Sequence, residues 1–435
     1  MSCALLSSAV DALRVNREEP ACTLASRPLQ SFTAAEWLRG LRVLDRTGIT
    51  LPLYGRMRET EERVSLPLPV LNALELRLRD NQRRMESMLE TFGQAVDALQ
   101  AARIPFLCLK GFSLFPEYYA RLWQRHQVDF DFLIAPCDAA RAQAVLEALG
   151  YGLMRTAGNR ELRFRTPVRQ HLGRDAYMYQ LQQGSAIELH TSFWDPGSFN
   201  LPLCCTEDVF ERAETHVVVG VGFPRLSQAH AFLYQMLHVF RHFLGSWARP
   251  LWLYEIASFV QRHRDRDELW REVRDLVAVD VHLIDAAALV LLTTNTLFGS
   301  AIPVQLADLC VRPDQAPIRL WVERYARGWV VTDMPGNKLN LMLHRHFIAD
   351  RDEWRRYLRS RLLPVRGKAA LCEGLDSCVV RSWRYKLANL RYRGQRAVHH
   401  VNTGVAFVFE SIAWKAALSS RSGNMASGAL TRRTS

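Results

Sequence analysis

The chain has no run of the eighteen or so uninterrupted apolar residues that a membrane-crossing helix needs. The closest stretch, Leu283–Phe298, is interrupted by Asp285, Thr293, Thr294, Asn295 and Thr296 and reads as a buried helix. The first twenty residues have only a short apolar run, broken by Asp11 and Arg14, and do not read as a signal peptide. No C-x-x-C pair occurs. The nine cysteines are odd in number and scattered, which excludes a disulfide framework or a zinc ribbon and fits reduced thiols in a cytoplasm. No internal repeat is present. Acidic charge is the scarcer sign, 44 Asp and Glu against 56 Lys and Arg, a net +12. That excess is local: from Arg366 onward there are twelve Lys and Arg and three acids (Glu373, Asp376, Glu410), so +9 belongs to this appendage and about +3 to residues 1–365. A basic appendage, more than a basic body, is where a polyanion partner would act.

What remains is an ordinary globular balance. With 49% apolar and 23% charged residues over 435 positions, two or three domains can bury a substantial core. Met85, Met88, Leu89, Phe92, Val96 and Leu99 recur at helical spacing and predict an amphipathic helix over 70–100, ending near Ala102 ahead of Pro105. Ile104–Leu109 is a short buried strand. Val128–Ile134 is a second strand, with Val128, Phe130 and Phe132 on its apolar face. Asp138 is the expected N-cap of a helix that closes at Gly150. Tyr177–Leu189 reads as a hairpin turning at Gln183-Gly184. After residue 225 the pattern is helical, with segments around 228–260, 283–298 and 350–362. Strands and helices are segregated, so the fold class is α+β, a small mixed sheet flanked by helices. The expected organisation is an N-terminal helical region at 1–100, a core at 101–225, a C-terminal helical domain at 226–365 and a basic, partly disordered tail at 366–435.

The chemistry lies in three carboxylates. Asp129 and Asp131 are two apart on one strand, so both leave the same face. Two adjacent carboxylates repel unless something positive sits between them, and a hard divalent cation is the usual solution. Glu188 and His190 share a face of a second strand, Ala186–His190. If the two strands are neighbours, Asp129, Asp131 and Glu188 converge on one point, an arrangement suited to metal-assisted phosphoryl chemistry with Mg2+ or Mn2+. Gly111, at a strand end, is by itself a plain turn glycine or one that lets backbone N–H groups approach phosphate oxygens, where Lys110 and Ser113 could add a charge and a hydroxyl.

Taken together, these residues resemble a bacterial family of nucleotidyltransferases in the DNA polymerase β-like superfamily. The matching positions are Leu109-Lys110-Gly111, Tyr119 eight residues after the glycine, Arg125 four before Asp129-Phe130-Asp131, Gly150-Tyr151 and Glu188-Leu189-His190. The similarity extends over about residues 30–365, including His230, His238 and Trp252–Glu255. It departs at Glu255, usually Asp, at Phe130, usually aliphatic, and at Gly111-Phe112-Ser113, which replaces a G-S or G-G pair. The resemblance implies a nucleotidyltransferase fold and transfer of a nucleoside monophosphate from a nucleoside triphosphate, with release of pyrophosphate. It leaves the acceptor open: small molecule, glycan, protein or RNA.

Other residues support this reading. Arg125 suits a triphosphate or Asp129, Lys110 a β- or γ-phosphate or the strand end, and His190 Glu188 or substrate. His238 and His242 lie one helical turn apart, but no glutamate or thiolate follows at ligand spacing, so they do not read as a zinc pair, and His238 reads as a cleft-lining residue. Glu255 is either a cleft acid or a helix-surface acid. Arg381–Arg396 interleaves aromatics with arginines, a composition that suits RNA or an anionic membrane surface. The alternative to an enzyme is a non-catalytic nucleotide- or RNA-binding protein on the same fold.

Overall fold

Alternation along two short strands and a 34-residue amphipathic helix place the core of the sheet. The computed structural model describes residues 2–15, 27–59, 66–156, 161–166, 177–179, 185–195, 201–203, 208–245, 247–363 and 383–431. Helices of eight or more residues are α1 (Ser2–Ala12), α2 (Ala34–Thr47), α3 (Thr50–Glu59), α4 (Leu68–Ala101), α5 (Ala139–Ala148), α6 (Gln228–Leu244), α7 (Pro250–Arg262), α8 (Asp267–Ala278), α9 (Val281–Phe298), α10 (Asn340–Phe347), α11 (Arg351–Leu362) and α12 (Trp383–Thr431). The strands are β1 (Phe106–Cys108), β2 (Asp129–Ile134), β3 (Gly152–Thr156), β4 (Glu161–Arg165), β5 (Ala186–His190), β6 (Glu214–Val218) and β7 (Val221–Arg225). They form one mixed sheet in the order β3-β4-β5-β2-β1-β7-β6. The fold is α+β, as expected.

One face of the sheet is aromatic. Phe130 and Phe132 of β2 and Phe223 of β7 close around Phe92 of α4, with ring centroids 5.4, 5.8 and 4.9 Å from it, and Phe112 adds a contact at 5.1 Å. Replacing a buried phenylalanine in such a cluster by alanine costs about 3–5 kcal/mol. α4 ends where the sequence predicts, at a C-cap on Ala102, and Arg103 turns the chain toward β1 with φ +52°. The helices before the sheet and those after it share one apolar core, to which Leu5, Trp37, Phe232 and Leu289 all belong. α9 is long and apolar enough to cross a membrane by composition, but 72% of it is buried inside the protein, the place the sequence gives it.

Three local expectations change. Tyr177–Tyr179 is a turn and not a strand, and Gln183-Gly184 lie outside the described residues. The antiparallel partner of β5 is β4, with Arg163 opposite Glu188. Tyr179 instead donates a hydrogen bond to Asp45 in the helical core, so a tertiary contact overrides the local alternation. Val128 precedes β2 and is 37% exposed. Asp138 makes no side-chain cap bond. It closes a 3-10 turn at Pro136–Asp138 and pairs with Arg141 at 2.6 Å. Within the basic tail, Trp383–Thr431 is a single helix, and residues 364–382 and 432–435 lie outside the described residues.

Candidate active site

β2 and β5 run parallel with Asp131 directly opposite Glu188 and Asp129 opposite Ala186. Parallel partners in register point to the same side. Asp129, Asp131, Glu188 and His190 therefore share the face away from the Phe92 cluster, and the strand neighbours Phe130, Phe132, Ile187 and Leu189 are fully buried on the other. β4 adds Glu161 and Arg163 to the acidic face, opposite His190 and Glu188. This face forms the floor of a cavity of about 270 Å³, walled by α6 and by the start of α7.

Asp131 is the most enclosed of the acids. Lys110 Nζ lies 2.9 Å and His190 Nε2 3.0 Å from the same Oδ1. Burial opposes its ionisation, but Lys110 and the His190 hydrogen bond outweigh burial and hold the carboxyl well below the usual range. Burial also works against the Lys110 ammonium, and Asp131 more than offsets it, so this lysine stays protonated. Glu188 behaves oppositely. Burial first, and then the charge of Asp131, push it up to about 7, against the pull of Lys110. Its oxygens lie 3.3 Å from Arg163 Nε and 3.7 Å from His190 Nε2. Asp129 is also raised, by burial and then by Asp131. It lines the cavity, and among the described residues no ion pair or hydrogen bond reaches its carboxylate.

Ligand atoms of Asp131, Glu188 and His190 all lie within 4.8 Å of one another. Two of the three predicted acids are thus brought together, with His190 as the third donor, and Asp129 stands beside them on the same face. Carboxylate oxygens with one imidazole suit a hard or borderline divalent cation. Asp129 and Glu188 are both raised by burial and then by the charge of Asp131, a repulsion that a cation at the acids would relieve. On this chemistry the residues fit such an ion.

The remaining predicted residues fall into place unevenly. Lys110 lines the cavity but is committed to Asp131. Arg125 also lines it, and its Nε donates to Glu255 Oε1 at 2.8 Å across 130 positions of sequence, rather than to Asp129. Glu255 is therefore a buried acid, 2% exposed, and not a helix-surface one. Gly111 has φ +72°, where a Cβ would lie 2.3 Å from Gln127 Nε2. Gln127 fills that turn and donates to the Asp129 carbonyl at 2.9 Å. Ser113 is buried, and its hydroxyl donates to the Lys110 carbonyl at 3.3 Å, so neither Gly111 nor Ser113 borders the cavity. His238 and His242 do line it, His238 edge-on to Trp252 at 4.7 Å and His242 tilted against it at 4.2 Å. Burial, and then Lys110, lower both; His242 is lowered to about 3 and stays neutral. His230 is structural, with Ser227 Oγ 2.8 Å from its Nδ1 at the start of α6.

Sequence reasoning missed Arg163, Arg241 and Arg249, all on the cavity wall. The E-L-R-F-R alternation of β4 is a strand signal that would have placed Arg163. No local signal marks Arg249, whose guanidinium lies 5.3 Å over the Trp252 ring. With Lys110 and Arg125, five cations line the cavity against two carboxylates, Asp129 and Glu188, which leaves +3. Acids on the floor and cations on the wall suit an anionic ligand held together with a metal.

A family model described as "uncharacterised nucleotidyltransferase" matches residues 33–299. No curated protein and no solved structure matches the chain.

Proposed function

The chain belongs to this nucleotidyltransferase family, and on that premise we propose that it moves a nucleoside monophosphate from a nucleoside triphosphate to an acceptor hydroxyl or phosphate, with a divalent cation, Mg2+ or Mn2+, in the site. The observation that carries the proposal is the register of β2 on β5, which sets Asp131 against Glu188 beneath a cavity with a cationic wall. The bound cation would supply charge neutralisation of the triphosphate, with oxygen donors from Asp129, Asp131 and Glu188 and His190 beside them. Arg125, Arg163, Arg241 and Arg249 hold the phosphates as fixed positive charges. The acceptor oxygen attacks the α-phosphorus in line. The new P–O bond forms as the α–β bridging bond breaks, and pyrophosphate leaves. Glu188, which lines the cavity opposite Asp131, completes the metal site or takes the acceptor's proton. We place the reaction in the cytoplasm, where nucleoside triphosphates are supplied.

The test is incubation of the protein with labelled nucleoside triphosphates, Mg2+ and cell extract. Cation-dependent labelling that disappears in Asp129→Ala and in Asp131→Ala is the expected result. Unchanged labelling in both variants overturns the proposal. One observation favours a second reading, a non-catalytic nucleotide-binding protein: Lys110 already places an ammonium against Asp131. Metal-independent binding of nucleotide without pyrophosphate release would identify that case.

A further inference from the structure

α12 exposes one apolar face along its first thirty residues. Trp383, Leu387, Leu390, Val398, Val401, Val405, Val408, Phe409 and Ile412 are each at least 50% exposed. At 100° per residue they fall within an arc of about 100°, a single stripe about 44 Å long at 1.5 Å per residue. The opposite face holds the helix to the body of the protein. Phe407 and Trp414 are buried there, Tyr325 donates to Glu410 at 2.8 Å, His400 meets the Leu362 carbonyl at 2.9 Å and Arg396 donates to the Pro335 carbonyl. The exposed stripe is therefore not the loose end of an unpacked helix. It is the outer surface of a docked one.

Charge decides what covers it. The exposed cations Lys386, Arg393 and Lys415 follow one border of the stripe and Arg391 the other. Glu410 is the one acid from 383 to 420, and it faces inward, paired with Tyr325. An apolar band edged by cations is the pattern of a helix lying in the plane of an anionic lipid surface. A second copy of this chain fits less well. A heptad seam holds over Val398, Val401, Val405, Val408 and Ile412, but one repeat upstream its positions are Arg391 and Gly394. The flanking positions Asn402, Gly404 and Ser411 carry no charge to pair two chains. RNA would use the cations but leaves nine exposed apolar side chains unexplained.

We propose that the outer face of α12 binds the surface of an anionic lipid bilayer, with the apolar stripe in the acyl boundary and the bordering cations at the headgroups. This holds the protein to a membrane without crossing it, and it does not depend on the transfer chemistry, which uses other residues.

The experiment is flotation of the full-length protein with vesicles of phosphatidylcholine alone or mixed in equal parts with phosphatidylglycerol. Flotation is expected with the anionic vesicles and not with the neutral ones, and it should weaken as salt rises. Val401→Glu with Val408→Glu should abolish it. Arg393→Glu with Lys415→Glu should lower partitioning at least about tenfold, since each basic residue near such a surface is worth about 1 kcal/mol. All four positions are exposed, so circular dichroism and thermal melting should match wild type. If the valine pair does not fold, the charge pair carries the test alone. Three results overturn the proposal: no flotation with anionic vesicles, equal flotation with both kinds, or a dimer that the valine pair dissociates while flotation is unchanged. RNA binding that needs Arg393 and Lys415 in a protein that does not float overturns it in favour of nucleic acid.

Discussion

Asp129 and Asp131 lie two residues apart on the same face of β2, yet neutralising each should move stability in opposite directions. Asp131 is 3% exposed, and its Oδ1 accepts from Lys110 Nζ at 2.9 Å, where the lysine side chain is only 10% exposed. Asp131→Asn removes the charge that holds this ammonium in a buried site. Breaking one half of a buried pair costs about 3–5 kcal/mol, because the other half is left uncompensated. The asparagine oxygen can still accept from Lys110, which places the expected loss near the lower end. Asp129 has no such partner among the described residues, and burial together with Asp131 already disfavours its charge. Asp129→Asn should therefore change stability by less than about 1 kcal/mol, with the gain in the stabilising direction. Both variants should lose transfer activity. Urea unfolding in EDTA at pH 7 reads the two stabilities. Adding Lys110→Met to Asp131→Asn should restore much of the loss, since replacing both halves of a buried pair is far less costly than removing one. Equal destabilisation by the two asparagines, or no rescue by Lys110→Met, would refute the assignment of Lys110 to Asp131.

Three further outcomes follow from the same geometry. Glu188 titrates near 7 where the unfolded chain has about 4.5, so between those values the folded state keeps a proton that the unfolded state has lost; in EDTA, wild-type stability should fall relative to Glu188→Gln as pH rises from 4.5 to 7 and level off above, and a difference flat across pH 4–8 would contradict this. Arg125 and Glu255 are both buried and bridge the loop before β2 to α7, so Arg125→Ala should cost about 3–5 kcal/mol and Arg125→Met with Glu255→Met much less than the sum of the single changes, as read by a double-mutant cycle. Gly111→Ala places a Cβ in a left-handed backbone and against Gln127, which should cost about 1–3 kcal/mol and lower transfer by displacing the strand entrance at Asp129; wild-type melting and activity would exclude it.

The parts of this site that could be read from sequence are those written in local periodicity. β2 and β5 alternate cleanly, so which residues share a face followed from spacing alone, and the LKG strand end and the long helix α4 were placed to within a few residues. Register was not legible. Nothing in the sequence says that Asp131 faces Glu188 rather than Ala186, because strand alignment is settled by packing around Phe92 and by the neighbouring β4. Charge partners were legible only as types. Arg125 was expected to meet a phosphate or Asp129, and its bond runs instead to Glu255, 130 residues away on α7. The tyrosines at 177 and 179 misled for the converse reason. Their alternation is that of a strand, but their hydroxyls hydrogen-bond to Asp80 and Asp45 in the helical layer. The outer face of α12 was visible as arginines among aromatics, but its apolar stripe appears only once a helix gives the valines a common side.

The charge layout also bears on how ligands enter. The cations on the wall favour an anion and the acids on the floor favour a cation, in a volume of about 270 Å³ where burial already strains both sets. A triphosphate arriving alone would sit above the ionised Asp131 and the crowded carboxyls of Asp129 and Glu188, and would be opposed by the acids it approaches. A divalent cation arriving alone would meet Lys110 already held against Asp131 and four arginines facing inward. Each is opposed by the charges that favour the other, and together they satisfy both sets. On the proposed function, binding of one would then strengthen binding of the other by the same factor, as linkage requires. Burial and the charge of Asp131 raise both Glu188 and Asp129, so positive charge brought to the floor would relieve both carboxyls. On the proposed function, a pocket arranged in this way would select for a nucleotide and its metal as a unit, and the Lys110–Asp131 pair would leave the floor with a negative charge for that unit to meet.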